Sequence, residues 1–412
     1  MKSKKIFLHN ILLPKNGNYK YPLLSKGLSK KDLDQGIKVL RTGNITMNKH
    51  TFSFEKKFAK KFKSKYALMV NSGSSANLLA VFAACNPLRK NKFKRGDHAI
   101  IQSLCWSTSL WPLVQSGLKI KFVDVDPKTL NTTAERIISN VTKKTKVIML
   151  VNVLGLSTDV LKIRKFCLKK RIILIEDNCE SLGTRFKKKF LGTFGDFGTF
   201  SFFFSHQITS GEGGMVVCKD KKDYEILKSL RSHGWSREKH TAKKFPNLDP
   251  RYIFVNSGFN LRPLDVQAAI VSNQFKRLEK FKNIRKFNRK KIISILANDT
   301  NWNNQFKFVD IPKEIDPSFM ALPILLKPRY KNKKKQFINY IESKGIETRP
   351  IISGSFPNQP STKLFKLNKS NKKFKGSEYI QKFGFVIGLH SRKIMKKDLL
   401  FLKKTLLSID KL

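Results

Sequence analysis

Between residues 65 and 218 short apolar segments alternate with segments of helix or loop length, and this alternation restricts the possible folds more than any other feature. Continuous apolar strands separated by helix-length connections are typical of a mostly parallel sheet covered by helices on both faces. We therefore predict an α/β fold whose ligands bind at the carboxyl ends of the strands. The predicted strands are Tyr66–Val70, His98–Gln102, Ile120–Val125, Val147–Val153, Ile172–Ile175, Thr199–Phe203 and Met215–Val217.

The residue pattern before and after this region differs from the α/β alternation. A chain of 412 residues, of which 40% are hydrophobic, can bury the cores of a large and a small domain. We predict an N-terminal arm at residues 1–47, a large α/β domain at 48–280 and a smaller α+β domain at 281–412. The elements expected in the last part are a strand at Phe319–Leu326 and helices at Lys334–Lys344 and around Lys397–Leu407.

The formal net charge of +54 would suit a polyanionic partner such as nucleic acid or an acidic membrane surface. Most of the excess is lysine in short runs such as Lys187–Lys189 and Lys333–Lys335, with few of the arginine and aromatic clusters that read bases. We therefore expect a solvated, lysine-rich surface and no nucleic-acid partner. Electrostatic attraction of an anionic ligand is the alternative.

Cysteine usage and hydropathy restrict the metal chemistry and the cellular location. No pair of cysteines forms a CxxC motif or has metal-ligand spacing, so we predict reduced thiols and no metal site. No N-terminal stretch resembles a signal peptide, and no run of about 18 apolar residues could span a bilayer. We expect a cytoplasmic protein without a membrane partner. The cysteines are Cys85, Cys105, Cys167, Cys179 and Cys218.

A polar turn, Asn71 to Asn77, follows the first predicted strand and precedes an apolar helix at Leu78–Ala84. Gly73 allows a tight turn, Ser74 and Ser75 offer hydroxyl donors, and the helix N-terminus adds free N–H groups with a partial positive charge. The segment therefore predicts a phosphate-binding turn. A turn that only caps the helix would have the same composition.

A second polar site follows the apolar strand that ends at Glu176 and Asp177. A buried aspartate at a strand end is costly unless it has a cationic partner. The protonated nitrogen of a pyridine ring is such a partner, and this ion pair makes the ring an electron sink. A cap of the following helix is the alternative role of Asp177.

The run from Gly198 to Gly214 contains a strand with Ser201, then His206, then a Glu-Gly-Gly turn. It resembles the DegT/DnrJ/EryC1/StrS sugar aminotransferases, in which a phosphate-binding serine is followed by a lysine and, about six residues later, by Glu-Gly-Gly. The resemblance implies fold type I of the pyridoxal-phosphate-dependent transferases, which is aspartate aminotransferase-like, with a mostly parallel seven-stranded sheet and a smaller C-terminal α+β domain.

His206 occupies the place of the family's lysine. An imidazole has no primary amine with which to bind the cofactor aldehyde, but it can transfer protons near neutral pH. The same substitution marks the nucleotide-sugar 3-dehydratases of the family, which work from pyridoxamine phosphate. The resemblance implies that L-glutamate donates the amine, that His206 is catalytic, and that a 4-keto-6-deoxy nucleotide sugar, GDP-4-keto-6-deoxy-D-mannose, loses its C3 hydroxyl in deoxysugar and O-antigen biosynthesis.

The resemblance also assigns other residues to the site. Glu180 stands where the aminotransferases have glutamine, which agrees with the dehydratase subgroup. His233, Glu347 and Arg349 are candidate sugar-pocket residues, although solvent-facing ion pairs explain Glu347 and Arg349 equally well. The implied cofactor-binding residues are Gly73, Ser74, Ser75, Trp106 against the pyridine ring, Asp177 at its nitrogen, Glu180 at its hydroxyl, Ser201 at the phosphate, and Asn260, which implies a homodimer with shared active sites.

Two further features bear on the subgroup and its rivals. Gln207 stands where the subgroup has a second histidine. No cysteine follows Cys218, whereas the dehydratases with an iron–sulfur cluster have clustered cysteines in the C-terminal half, so we predict no cluster. An aminotransferase with an alternative lysine is disfavoured, since none lies between Gly195 and Val217. The sequence also allows a dehydratase for another nucleotide sugar and a non-catalytic, nucleic-acid-binding member of the fold.

Overall fold

The computed structural model describes residues 19–24, 27–236, 238–368 and 373–412. Short 3₁₀ turns lie at Val153–Gly155, Pro328–Tyr330, Phe356–Asn358 and Leu407–Lys411. The helices are α1 Lys30–Leu40, α2 Lys49–Phe62, α3 Gly73–Ala84, α4 Ser107–Gln115, α5 Ala134–Ser139, α6 Val160–Lys170, α7 Lys221–Arg231, α8 Lys239–Lys244, α9 Asp265–Phe275, α10 Leu278–Ala297, α11 Lys334–Ser343, α12 Pro360–Leu364, α13 Lys375–Phe383 and α14 Lys396–Leu406. The strands are β1 Tyr66–Val70, β2 His98–Gln102, β3 Lys119–Val123, β4 Thr145–Val151, β5 Ile173–Asp177, β6 Arg185–Phe186, β7 Lys189–Phe190, β8 Phe197–Ser201, β9 Gly214–Cys218, β10 Trp235–Ser236, β11 Ile253–Phe254, β12 Phe306–Phe308, β13 Ile315–Asp316, β14 Ala321–Leu326 and β15 Gly384–Gly388.

The central sheet has seven strands in the order β1-β9-β8-β5-β4-β2-β3. Strand β9 is antiparallel to both of its neighbours, and the other neighbouring pairs are parallel. The predicted α/β fold with a mostly parallel sheet is confirmed. Strand β4 ends two residues earlier than predicted, because the chain leaves the sheet in a 3₁₀ turn at Val153–Gly155, where Leu154 has a φ of 50°.

Alternating side chains of β1 separate two hydrophobic clusters. Leu68 and Val70 join the main core, whereas Ala67 and Met69 join a second, phenylalanine-rich cluster. In a strand successive side chains point to opposite faces of the sheet, so a short apolar segment can serve both cores. Burying each such apolar side chain contributes about 1.5–3 kcal/mol, which makes the sheet a stable support for the residues at its ends.

The C-terminal part contains the antiparallel sheet β12-β14-β15 and helices, which confirms the expected α+β character of the small domain. The proposed domain boundary between residues 280 and 281 lies in the first turn of α10. Within the proposed arm, Tyr21 donates its N–H to the carbonyl of Gly345 at 2.9 Å, so this segment bonds to the small domain. Of the helices described, none is long and apolar enough to cross a membrane.

Candidate active site

Strands β5 and β8 pair in parallel, and Asp177 stands at the carboxyl end of β5 opposite Thr199. One oxygen of the buried Asp177 carboxylate accepts hydrogen bonds from Asn77 Nδ2 and Ser109 Oγ, each at 2.7 Å, and the other accepts the N–H of Cys179 at 3.0 Å. Thr199 Oγ1 donates to Asn77 Oδ1 at 2.6 Å, which fixes the orientation of that amide. The carboxylate is therefore held rigidly by α3, α4 and the segment after β5.

The adjacent Glu176 points to the other face of the sheet and has a structural role. Its carboxylate is fully buried and accepts the N–H groups of Gly192, Phe194 and Gly195 at 2.7–2.8 Å. Burial raises the pKa of Glu176, and these N–H groups oppose the shift. Of the two carboxylates at this strand end, Asp177 is the one that faces α3 and α4.

The polar turn brings the N-terminus of α3 against the end of β8. Ser72 is the N-cap of α3, because its Oγ accepts the N–H of Ser75 at 3.1 Å. Within this turn, Ser72 is therefore the residue that caps the helix. Ser74 Oγ donates to Thr108 Oγ1 at 2.9 Å. A Cβ at Gly73 would lie 2.5 Å from the Cβ and 2.8 Å from the Oγ of Ser201. Glycine thus allows the helix N-terminus and the Ser201 hydroxyl to form one cradle.

Replacing Gly73 with alanine should close this cradle. Because the new methyl group would overlap Ser201, we expect a loss of about 1–3 kcal/mol in stability and a 10- to 100-fold weaker affinity for a phosphate-bearing cofactor. Thermal unfolding and fluorescence titration with pyridoxal phosphate measure the two effects. Gly36→Ala is the control, since its Cβ would meet the flexible end of Ile270 at 3.0 Å and Val266 at the ordinary contact distance of 3.5 Å. Equal behaviour of the two variants would contradict the prediction.

His206 lies in the loop after β8, and its N–H donates to the carbonyl of Phe203 at 3.0 Å. Burial lowers the pKa of the imidazole to about 4, while the backbone of Cys179 and the negative charge of Asp177 oppose the shift. Nδ1 of His206 is buried and has no hydrogen-bond partner among the described residues. At neutral pH the side chain is therefore a neutral imidazole with a nitrogen that is free to bind a proton.

Glu180 lies close to the same centre. Its Oε2 accepts the N–H of Leu154 at 3.1 Å. Burial raises the pKa of Glu180 to about 7, the charge of Asp177 adds to the increase, and the bond from Leu154 opposes it. A carboxyl group in this state can exchange a proton at neutral pH, in contrast to a solvated glutamate.

The raised pKa of Glu180 predicts a pH-dependent contribution to stability. The folded protein binds this proton more tightly than the unfolded chain, so the contribution is complete below the ordinary pKa of 4.5 and is lost as the pH rises through about 7. Glu180→Gln should therefore stabilise the fold by about 1–2 kcal/mol at pH 8 and change it little at pH 5. Chemical denaturation at both pH values measures this, and an equal effect at the two values would contradict it.

The structure places Trp106, Asn260 and His233 at the exposed edge of the site. Trp106 is the N-cap of α4, and 56% of its surface is exposed. Asn260 Oδ1 accepts a hydrogen bond from Arg262 Nε at 3.0 Å, and Arg262 Nη2 lies 3.3 Å from His233 Nε2. The carbonyl of Leu261 accepts the N–H of Asn71, which brings this segment to the polar turn. These three side chains are open to further partners.

Glu347 and Arg349 form an ion pair at 2.9 Å. Glu347 also accepts the N–H of Leu23 at 2.8 Å, and Arg349 donates to the carbonyl of Thr348 at 2.8 Å. These contacts match the ion-pair alternative and link residues of the proposed arm to the small domain. A role of the two side chains in substrate binding remains a prediction.

The sequence does not assign a role to three residues that orient Asp177 in the structure, which are Asn77, Thr199 and Ser109. Asn77 and Thr199 lie inside the motifs at residues 71–77 and 198–214, where a polar side chain in apolar surroundings was the available hint. Ser109 has no such hint, because its position in the first turn of α4 becomes meaningful only in the fold. Across the described ranges, no group of three or more His, Cys, Asp or Glu side chains is placed to hold a metal ion.

The DegT/DnrJ/EryC1/StrS aminotransferase family model matches residues 27–398, and the chain belongs to this family.

Particular relatives define the resemblance further. The chain is 37% identical over 378 residues to GDP-4-keto-6-deoxy-D-mannose 3-dehydratase of Yersinia pseudotuberculosis, which covers 90% of this chain and 94% of that protein. It is 33% identical over 359 residues to the lipopolysaccharide biosynthesis protein RfbH of Salmonella typhimurium, covering 82% and 80%. An E. coli GDP-4-keto-6-deoxy-D-mannose-3-dehydratase structure with bound hydrated PLP has a TM-score of 0.83 and 34% identity, covering 94% of this chain and 99% of that one. The predicted type I fold is confirmed.

Proposed function

We propose that this chain is a dehydratase that uses pyridoxal phosphate in its pyridoxamine form to remove the C3 hydroxyl of a 4-keto-6-deoxy nucleotide sugar. GDP-4-keto-6-deoxy-D-mannose is the proposed substrate and L-glutamate the amine donor. The observation that carries the proposal is His206 in the lysine position beside Asp177, with no lysine between Gly195 and Val217. Two relatives named GDP-4-keto-6-deoxy-D-mannose 3-dehydratase match 90% of this chain.

The residues present fit such a cofactor. The cradle of Gly73 and Ser201, with Ser74 and Ser75 beside it, suits a phosphate, and the fixed carboxylate of Asp177 suits a protonated pyridine nitrogen. Trp106 would cover a ring face and Glu180 would bond to the ring hydroxyl. When bound, pyridoxamine phosphate supplies a primary amine for the sugar ketone and a ring that accepts electrons.

His206 performs the proton transfers in this proposal. Because its imidazole is neutral at pH 7 and Nδ1 is unpaired among the described residues, it can take a proton from the cofactor carbon that bears the amine. The imidazolium can then donate this proton to the departing C3 hydroxyl, and the charge of Asp177 favours the protonated form. The partly buried position limits access of bulk water to the transferred proton.

We further propose a homodimer in the cytoplasm with shared active sites. Asn260 is exposed, and it would reach the cofactor phosphate of the partner subunit. Tyr252, Phe254 and Leu264 expose large apolar side chains on either side of it. Large apolar side chains exposed in one stretch of chain suit a surface that another protein chain covers. Sedimentation equilibrium tests the dimer, and a monomer with full activity would contradict shared sites.

Incubation of the purified protein with pyridoxal phosphate, L-glutamate and GDP-4-keto-6-deoxy-D-mannose tests the reaction. We expect the sugar nucleotide to lose one oxygen, as measured by mass spectrometry, and ammonia to be released. An amine in place of the ketone would instead establish an aminotransferase. An unchanged sugar, together with turnover of another 4-keto nucleotide sugar, would correct the substrate but keep the reaction.

A further inference from the structure

Gln207 follows His206 and is held at several points by separate parts of the fold. Only 1% of its surface is exposed. Its Nε2 donates to the carbonyl of Glu180 at 2.5 Å and to the carbonyl of Ser318 at 3.0 Å. Its own carbonyl accepts a hydrogen bond from Arg285 Nη1 at 3.0 Å. Three segments distant in sequence therefore meet at this one residue.

The imidazole of His206 has two contacts of its own, a hydrogen-bonding interaction with the backbone of Cys179 and an edge-to-face contact with Phe203, with 6.0 Å between the ring centroids. The backbone N–H of His206 donates to the carbonyl of Phe203, and Nδ1 is unpaired among the described residues. The titratable group that acts on the imidazole is Asp177 at the end of β5, and Cys179 and Glu180 follow it in the chain. The position of the imidazole therefore depends on the main chain at His206 and at Cys179–Glu180, and Gln207 joins these two segments through its bond to the Glu180 carbonyl.

Arg285 on α10 strengthens this anchor. Its side chain is buried, and its Nε and Nη1 donate to the carbonyls of Leu389 and Gln207 at 2.9 and 3.0 Å. Hydrogen bonds from a charged group are stronger than neutral ones, particularly away from solvent. Burial lowers the pKa of Arg285 to about 10, so it remains a cation at neutral pH. Through this bond, the catalytic loop is joined to the small domain.

We propose that Gln207 is the positioning residue of the active site: by bridging the carbonyls of Glu180 and Ser318, its side-chain amide fixes the imidazole of His206 relative to Asp177. An amide suits this task because one nitrogen carries two N–H groups and can donate to two carbonyls. The same bridge holds Glu180, so the two proton-exchanging side chains keep a constant separation. This inference rests on the proposed catalytic role of His206.

The test compares Gln207→Met, which keeps the volume but removes both donors, with Gln207→His, which keeps one. The holoenzyme is labelled with ¹⁵N-histidine and titrated by NMR without substrate, and His206→Asn identifies the His206 signal. In Gln207→Met we expect the His206 titration to move upward by about one pH unit or more, toward the ordinary value, since a loosened imidazole gains hydration. The rate kcat should fall about 10- to 100-fold with KM nearly unchanged. Gln207→His should give intermediate values.

Gln305→Met is the matched control. Gln305 is fully buried in the small domain, and its Nε2 also donates twice, to Asn301 at 2.7 Å and Asp410 at 2.9 Å. This variant should lose stability without changing the titration of His206. Equal His206 titrations and equal rates in Gln207→Met and Gln305→Met would overturn the inference. If Gln207→Met does not fold, a wild-type titration and a wild-type rate in Gln207→His would overturn it. A wrong substrate would abolish turnover in the wild type but leave the NMR comparison intact.

Discussion

Replacing His206 with asparagine should lower the rate of dehydration by about 10²- to 10⁴-fold while the cofactor stays bound. This range is what a positioned general acid or base contributes, and asparagine cannot exchange a proton near neutral pH. The residues that fit the phosphate and the pyridine nitrogen, Gly73, Ser201 and Asp177, make their contacts without the imidazole. Mass spectrometry of the sugar nucleotide measures the rate, and fluorescence titration measures the affinity for the cofactor.

Two further variants make this result specific. His240→Asn, an exposed histidine on α8, should leave the rate unchanged. His206→Lys restores a primary amine at this position, so reduction with borohydride should attach the cofactor covalently and raise the protein mass, with loss of the dehydration. A His206→Asn enzyme within about threefold of the wild-type rate would mean that another group, with Glu180 the first candidate, transfers the proton.

Replacing Asp177 with asparagine should reduce turnover by about 10²- to 10³-fold, the loss expected when one preorganised electrostatic contact to the reacting system is removed. The neutral amide cannot stabilise a protonated pyridine nitrogen. Both Asp177 oxygens accept hydrogen bonds in the wild type, so in either orientation the amide NH₂ group would face a donor, either Asn77 Nδ2 with Ser109 Oγ or the N–H of Cys179. We therefore expect weaker cofactor binding in addition to slower turnover, measured by the same two assays.

Asp196→Asn is the matched control for Asp177→Asn. Asp196 precedes β8, accepts the N–H of Leu174 at 2.9 Å and pairs with Arg164 at 2.9 Å, so it is a partly buried carboxylate with comparable bonding. Its loss should lower the unfolding temperature without affecting cofactor affinity. If the two variants lose affinity equally, Asp177 acts through the stability of the sheet and has no direct contact with the cofactor.

Much of the fold can be predicted from local patterns. Strands β1 and β2 have the predicted bounds, and the other strands of the central sheet differ by a few residues at their ends. Apolar segments of this length carry a strong strand signal, whereas their ends depend on hydrogen bonds to distant residues. The early end of β4 is an example, since the N–H of Val153 bonds to the side chain of the distant Asn131 where the chain enters a 3₁₀ turn.

The sequence predicts the candidate site less well where one contact joins side chains from several segments. Asp177 follows from one motif, and Ser201 and His206 follow from another. Each motif is a single stretch of chain. The partners that orient Asp177, Asn77 and Ser109, come from α3 and α4. A motif identifies the type of residue at each position but contains no distances between positions far apart in the chain.

By itself, the sequence determined the α/β class, the family and the replacement of lysine by His206, because these depend on the order of residue types along the chain. The tertiary structure alone decided the electrostatic state of the site and its support. The neutral His206, the raised pKa of Glu180 and the bridge made by Gln207 arise from burial and from hydrogen bonds between β5, the loop after β8, α10 and the segment before β14. Desolvation and hydrogen bonding depend on which groups meet in space, and that becomes defined only when the chain has folded.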